Sequence, residues 1–154
     1  MIFSLVMSLH DWPVVGERRF IGLDNYRVML TQDPKFWQSL GITVKFAAIF
    51  VPLNILLSFL LAVLLNVKVR GTALFRTAFY LPSIISGVAL VMIWKWIYSK
   101  DYGLLNYGLS VLGVDGPNWL GDPNWSILAI IIASLWGMGG TMLILLAGLQ
   151  SIPK

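Results

Sequence analysis

The 154-residue chain contains no cysteine, so it has neither disulfides nor thiolate metal sites, and its residues carry no redox clue to compartment. It has a single histidine, His10, next to Asp11 at the end of a short apolar run. A lone histidine there reads as an interfacial residue rather than a general base, and no convergent set of ionisable groups offers a catalytic site. Charged residues make up only 12% of the chain. None of the acids falls inside a long apolar run, so a proton relay has no evident carrier. The phrase "GMGGT" lacks the lysine of a phosphate-binding loop and lies inside an apolar run. The pI near 9.6 is not backed by a basic stripe on a soluble face, which argues against nucleic acid as a partner.

What is abundant is hydrophobic surface. Hydrophobic residues reach 58% and the mean hydropathy is +0.80, leaving too little polar surface for a soluble domain of this length. The composition implies an all-α membrane protein, a polytopic helical bundle. Spans are expected at 39–66, 74–98 and 125–149, with residues 1–9 too short to cross alone and reading as the end of a first span. A signal peptide is not expected, because no basic leader or small-residue cleavage site precedes the polar stretch. In the span "FAAIFVPLNILLSFLLAVLL", Phe46 to Leu65, the large apolar residues favour insertion by roughly 4–8 kcal/mol, which outweighs Pro52 and Asn54.

Charge sets the expected topology. Lys68, Arg70 and Arg76 sit in the connection at and just after 67–73 with no acid nearby, whereas Lys100 faces Asp101, Asp115 and Asp122 in the connection 99–124. By the positive-inside rule the first is cytoplasmic and the second external, and alternation places 10–38 outside too. Lys45 and Lys95 lie near the outer ends of their spans, where their stems snorkel to the interface. Trp94, Trp96 and Tyr98 beside Lys95, and Trp119 and Trp125 near the next entry, suit an outer aromatic belt. Leu104, Leu105, Leu109 and Leu112 predict a short amphipathic helix on the membrane surface, and Asp122-Pro123 predicts a turn into the last span.

Three features inside the spans call for a reason. Asn54, Ser58, Ala62 and Asn66 recur at i, i+4 and share a face, which marks a helix contact or a wet cavity; packing is the first reading. Pro82 predicts a kink, and Ser83 with Gly87 forms a small-xxx-small pair. Gly137, Gly139 and Gly140 interrupt the third span, with Thr141 spaced to share a face with Gly137. Such an interruption points to tight packing or to a transport pathway.

Several phrases in order carry a family resemblance: "FIGLDNYRVML" after "DW", "SLGITVKF", "LAVLLN" before a short basic turn, "GTALFRTAFYLPSIISGVALVMIWKWIY", "YGLLNYGLSVLG", "NWLGDPNW" and "LLAGLQSIPK". Together they resemble the inner-membrane permease subunits of binding-protein-dependent ABC importers. The nearest branch is the carbohydrate-uptake group related to the maltose and glycerol-phosphate permeases. The resemblance implies part of a type I ABC importer transmembrane domain, in a bacterial or archaeal cytoplasmic membrane, working by alternating access on sugars or sugar-like solutes. The implied partners are a second permease subunit, a cytoplasmic ATPase dimer and an external solute-binding protein, besides the bilayer. No cofactor, metal or catalytic residue is implied, since ATP hydrolysis belongs to the separate ATPase. In the family the ATPase docks on an EAA loop directly after the equivalent of "GLQSIPK", so the chain reads as an N-terminal fragment ending just before that loop.

On that resemblance the pathway residues are Ser83, Ser86, Gly87, Ser134, Gly137, Gly140 and Thr141, whose small size leaves room for a sugar and whose hydroxyls can hydrogen-bond it. Asn54, Ser58 and Ala62 are assigned to helix packing. Residues 20–26 and 102–125 are the expected contacts of the solute-binding protein. Only Trp136 is expected as a stacking aromatic at pathway depth. Two other classes compete: an ion-coupled secondary carrier, disfavoured by the missing acids, and a membrane scaffold that transports nothing.

Overall fold

The computed structural model describes residues 1–13, 15–66, 71–85 and 87–151. Among these are eight helices and one two-stranded antiparallel ribbon. The chain divides into two compact units, Met1–Lys45 and Phe46–Lys154, with the boundary inside the longest helix.

In the first unit, helix α1 (Ile2–Ser8) leads into strand β1 (His10–Asp11), which pairs with β2 (Arg19–Phe20) in the register His10 to Phe20. The ribbon is a feature that the sequence reading did not anticipate. His10 is held in it: Nδ1 lies 2.7 Å from the Val6 carbonyl, and the ring meets Phe20 edge-on with centroids 5.2 Å apart. Helix α2 (Asp24–Thr31) follows, with Asp24 in its first turn, where a carboxylate complements the helix dipole. Asn25 ties α2 back by donating to the carbonyls of Ser8 and His10, at 2.9 and 3.2 Å.

Helix α3 (Pro34–Asn66) opens with proline in its first turn, where no N–H is needed, and Asp33 Oδ1 accepts the Lys35 N–H at 2.9 Å. At about 1.5 Å per residue its 33 residues reach about 50 Å, more than the ~30 Å hydrocarbon core. It is long and apolar enough to cross a membrane alone, with a mean hydropathy of 2.6 in its best window. Pro52 sits inside it.

The other two expected spans are each built from two helices. Helix α4 (Thr72–Ile84) starts from Gly71, whose φ of 93° is left-handed and favours glycine, and it contains Pro82. Helix α5 (Gly87–Ile97) follows at a bend of 97°. Helix α7 (Pro123–Leu135) and α8 (Gly139–Gln150) are bent by 49°. Counting each bent pair as one span, up to three helical stretches are long and apolar enough to cross. Between them, α6 (Leu104–Val111) occupies the expected amphipathic stretch. Asp122 caps α7 through Oδ1, which accepts the Asn124 N–H at 2.8 Å, and Pro123 takes the first helical position.

The core of the second unit is the seam of α3 with α8: Ala62, Leu65, Met142 and Leu146 are buried together, with Phe79 of α4 packed against them. The buried face of α3 is Ser58, Ala62 and Leu65, at i, i+4 and i+7. Asn66 is exposed and leaves the predicted stripe, because the chain exits the helix there. Arg76 of α4 donates to the Leu65 carbonyl at 3.3 Å, supplying a partner to one of the last carbonyls of α3.

Candidate functional site

The break between α7 and α8 is built from Trp136, Gly137 and Met138. Gly137 and Met138 donate to the carbonyls of Ser134 and Leu135 at 3.1 Å, three residues back, so the last turn of α7 tightens and the ladder stops. The first amide of α8 bonded to the turn before it is that of Met142, which donates to the Met138 carbonyl at 3.0 Å. The amides of Gly139, Gly140 and Thr141 therefore have no helical partner within α8, and at the start of a half-helix they present donors and a positive dipole end. Broken apolar helices of this kind are how transporters put backbone donors at a solute path.

The three glycines differ. A Cβ on Gly139 would strike the Phe79 carbonyl oxygen and would lie 2.7 Å from its carbon and 2.8 Å from Tyr80 Cα, so α4 crosses α8 there at backbone distance. Gly139 is thus the packing glycine. A Cβ on Gly137 would meet only the Ser134 carbonyl oxygen, at 3.5 Å, and one on Gly140 would meet nothing within 4 Å. The sequence named all three together; only the crossing helix separates them.

The other expected pathway residues scatter. Gly137 lies outside α8, so it shares no helical face with Thr141. Ser83 lies in the last turn of α4 and Gly87 begins α5, so their i, i+4 spacing does not put them on one helix, and both are exposed. Ser86 lies outside the described residues, as do Lys68 and Arg70. The hydroxyls of Ser83 and Ser134 turn back on their own helices, donating to the Tyr80 and Ile130 carbonyls at 2.6 and 2.7 Å. Their protons are committed, and what they retain for a ligand is acceptor capacity.

Ser134 lines an apolar cavity of about 310 Å³ with Val91, Trp94, Tyr98, Leu120 and Ile130. The size is at the lower end of small-ligand pockets. Trp94 meets Trp136 edge-on at 5.6 Å and stacks on Tyr98 at 5.1 Å, so Trp136 has an aromatic companion that the sequence reading had assigned to the lipid interface. Tyr98 is only 2% exposed, and its hydroxyl donates to the Ala129 carbonyl of α7 at 2.8 Å. Hydropathy could not separate these rings from Trp96, which is exposed, because belt and seam aromatics have the same composition.

In the connection from 99 to 122, Asn106 ties together three points distant in sequence. Asn106 donates to the carbonyls of Lys100 and Pro117 at 3.1 and 3.2 Å and accepts the Trp119 indole N–H at 2.7 Å. Trp119 in turn lies 5.9 Å from Tyr98 and 5.3 Å from Trp125. Lys100, Asp101, Tyr107 and Asp115, together with Leu104 and Val114, border an open cavity of mixed polarity and about 670 Å³ on this connection.

A chain of apolar helices, two pairs of them broken, with a glycine-lined interruption in the last, is the architecture of a polytopic helical membrane protein. It matches no family model. It is 41% identical to the probable ABC transporter permease YesP of Bacillus subtilis over 153 residues, covering 98% of this chain and 49% of that one. It is 38% identical to the trehalose/maltose transport system permease MalF of Thermococcus litoralis, covering 96% and 50%. Identity to the lactose transport system permease LacF of Rhizobium radiobacter is 40%, covering 98% and 51%. The crystal structure of a bacterial ABC transporter that imports the acidic polysaccharide alginate superimposes with a TM-score of 0.84 at 26% identity, over 99% of this chain and 51% of that one. The chain belongs to the ABC transporter permease family and is a helical membrane protein. It spans about half the length of the curated relatives it matches.

Proposed function

We propose that the chain forms part of the solute pathway of an ATP-driven importer for sugars or sugar-like solutes, in a bacterial or archaeal cytoplasmic membrane. The observation that carries this reading is the α7–α8 break, where Gly140 has open space beside it and the first amides of α8 are free of helical partners. A polyhydroxylated solute is served by such donors, and Trp94 with Trp136 supplies aromatic faces close to the break. The names of the relatives support the solute class: trehalose and maltose for one, lactose for another.

Alternating access then needs energy and delivery from partners. ATP hydrolysis belongs to a separate cytoplasmic ATPase dimer, and a second permease subunit supplies the facing half of the pathway. An external solute-binding protein loads it; a related alginate transporter has been solved in complex with its substrate-bound periplasmic protein. The connection tied together by Asn106 and the segment 20–26 are the surfaces we assign to that protein. In this orientation Arg76 is cytoplasmic, with Lys68 and Arg70.

The test is uptake by the assembled transporter carrying Gly140→Leu, with Gly140→Ala as control. The added methyl of alanine meets nothing, so the control is expected to transport, while the leucine obstructs the path and uptake is lost at normal expression. Undiminished uptake in Gly140→Leu would remove the pathway role and leave a scaffold.

A further inference from the structure

Hydroxyls inside the apolar helices mostly close on their own helix. Thr43, Thr77, Ser83 and Ser134 each donate to a carbonyl three or four residues earlier, at 2.6–3.0 Å. Ser58 does not. It is fully buried, and its Oγ reaches two acceptors: Oδ1 of Asn54 on its own helix at 3.2 Å, and the Met138 carbonyl at the α7–α8 break at 3.3 Å. Both contacts are longer than the 2.7–2.8 Å usual for a hydroxyl donor, as expected when one proton is shared by two acceptors. The Met138 carbonyl already accepts the first amide bond of α8, so it stays satisfied if Ser58 withdraws. Ser58, for its part, would retain Asn54.

We propose that Ser58 is a latch with a standby acceptor: it ties α3 to the α7–α8 break, and Asn54 takes over its proton when the break moves away. The arrangement removes the usual obstacle to breaking a buried hydrogen bond, which is the orphaned donor left behind. It also gives α3 a positioning role at the break that packing of Ala62 against Met142 alone does not confer. The transport consequence rests on the proposed pathway reading.

The latch predicts opposite effects for its two members. Removing Ser58 unties the break, whereas removing Asn54 takes away the competing side-chain acceptor, so that the serine proton goes undivided to the Met138 carbonyl and the tied state is favoured. Because these 154 residues contain no cysteine, spin labels at Ile55→Cys on α3 and Ile144→Cys on α8, both exposed positions, report the separation without background from this segment. Measured in the transporter reconstituted in lipid vesicles, Ser58→Ala is expected to broaden the distance distribution and Asn54→Leu to narrow it, with Ser58→Thr like the parent. Where alanine does not fold, Ser58→Val against Ser58→Thr makes the comparison at equal volume. An unchanged distribution in Ser58→Ala or Ser58→Val overturns the latch, as does broadening in Asn54→Leu. Uptake separates this from the pathway reading. If Gly140→Leu transports normally, the latch loses its transport role even when the distances move; if the distances stay put, the latch fails whatever uptake does.

Discussion

Gly139 and Gly140 are neighbours in sequence, yet the packing assigns them opposite responses to the same substitution. Alanine at either position raises helix propensity, contributing about 0.4–1 kcal/mol where the backbone and surroundings allow it. At Gly140 the new methyl has open space, so Gly140→Ala is expected to be neutral or stabilising by up to about 1 kcal/mol. At Gly139 the methyl would sit on the Phe79 peptide, with the carbonyl carbon 2.7 Å and Tyr80 Cα 2.8 Å away. Those atoms are backbone of a packed helix and cannot rotate aside, so α4 must shift and open its seam with α8. Overpacking typically costs 1–3 kcal/mol, and a rigid neighbour places Gly139→Ala at or above the top of that range, about 3 kcal/mol. The difference between the two variants is thus expected to be about 3–4 kcal/mol, large enough to resolve by reversible unfolding in mixed micelles or by thermal aggregation in mild detergent. Equal stability of Gly139→Ala and Gly140→Ala would refute the α4–α8 crossing, and with it the distinction between packing and pathway glycines.

Two further outcomes follow from single side chains. Asn106→Leu removes both amide donations and the acceptor for Trp119, and should destabilise the 99–122 connection by about 1–3 kcal/mol; limited proteolysis should then cut there first, while unchanged protection would show that the apolar contacts suffice. Asp122→Ala removes the cap of α7 and should cost about 0.5–2 kcal/mol, seen as faster amide exchange in the first turn of α7, with Asp122→Asn restoring protection.

Much of this protein is legible in one dimension because lipid makes a one-dimensional demand. A helix crossing a bilayer must satisfy its own backbone and present apolar side chains for about 20 residues, so composition alone marks α3, and Asp122-Pro123 alone marks the start of α7. Glycine and proline announce that the later stretches are interrupted, since those residues weaken a helix wherever they fall. The stripe of Asn54, Ser58 and Ala62 is visible for the same reason, as 3.6-residue periodicity is a property of the chain itself.

What each interruption is for depends on atoms distant in sequence. Only the approach of Phe79 distinguishes Gly139 from Gly140, and only the approach of α7 and Trp136 buries Tyr98 and half-buries Trp94 while Trp96 stays exposed. The 80 residues between Ser58 and Met138 hide the bond between them, because a hydroxyl's partner is chosen by proximity in space and leaves no local trace. By itself, then, the sequence determined that apolar helices form and where their backbones weaken, through propensities that act within a few residues. The tertiary structure decided which weak points are packed shut and which lie open, since steric exclusion and hydrogen bonding act only between groups that the fold brings within a few ångströms.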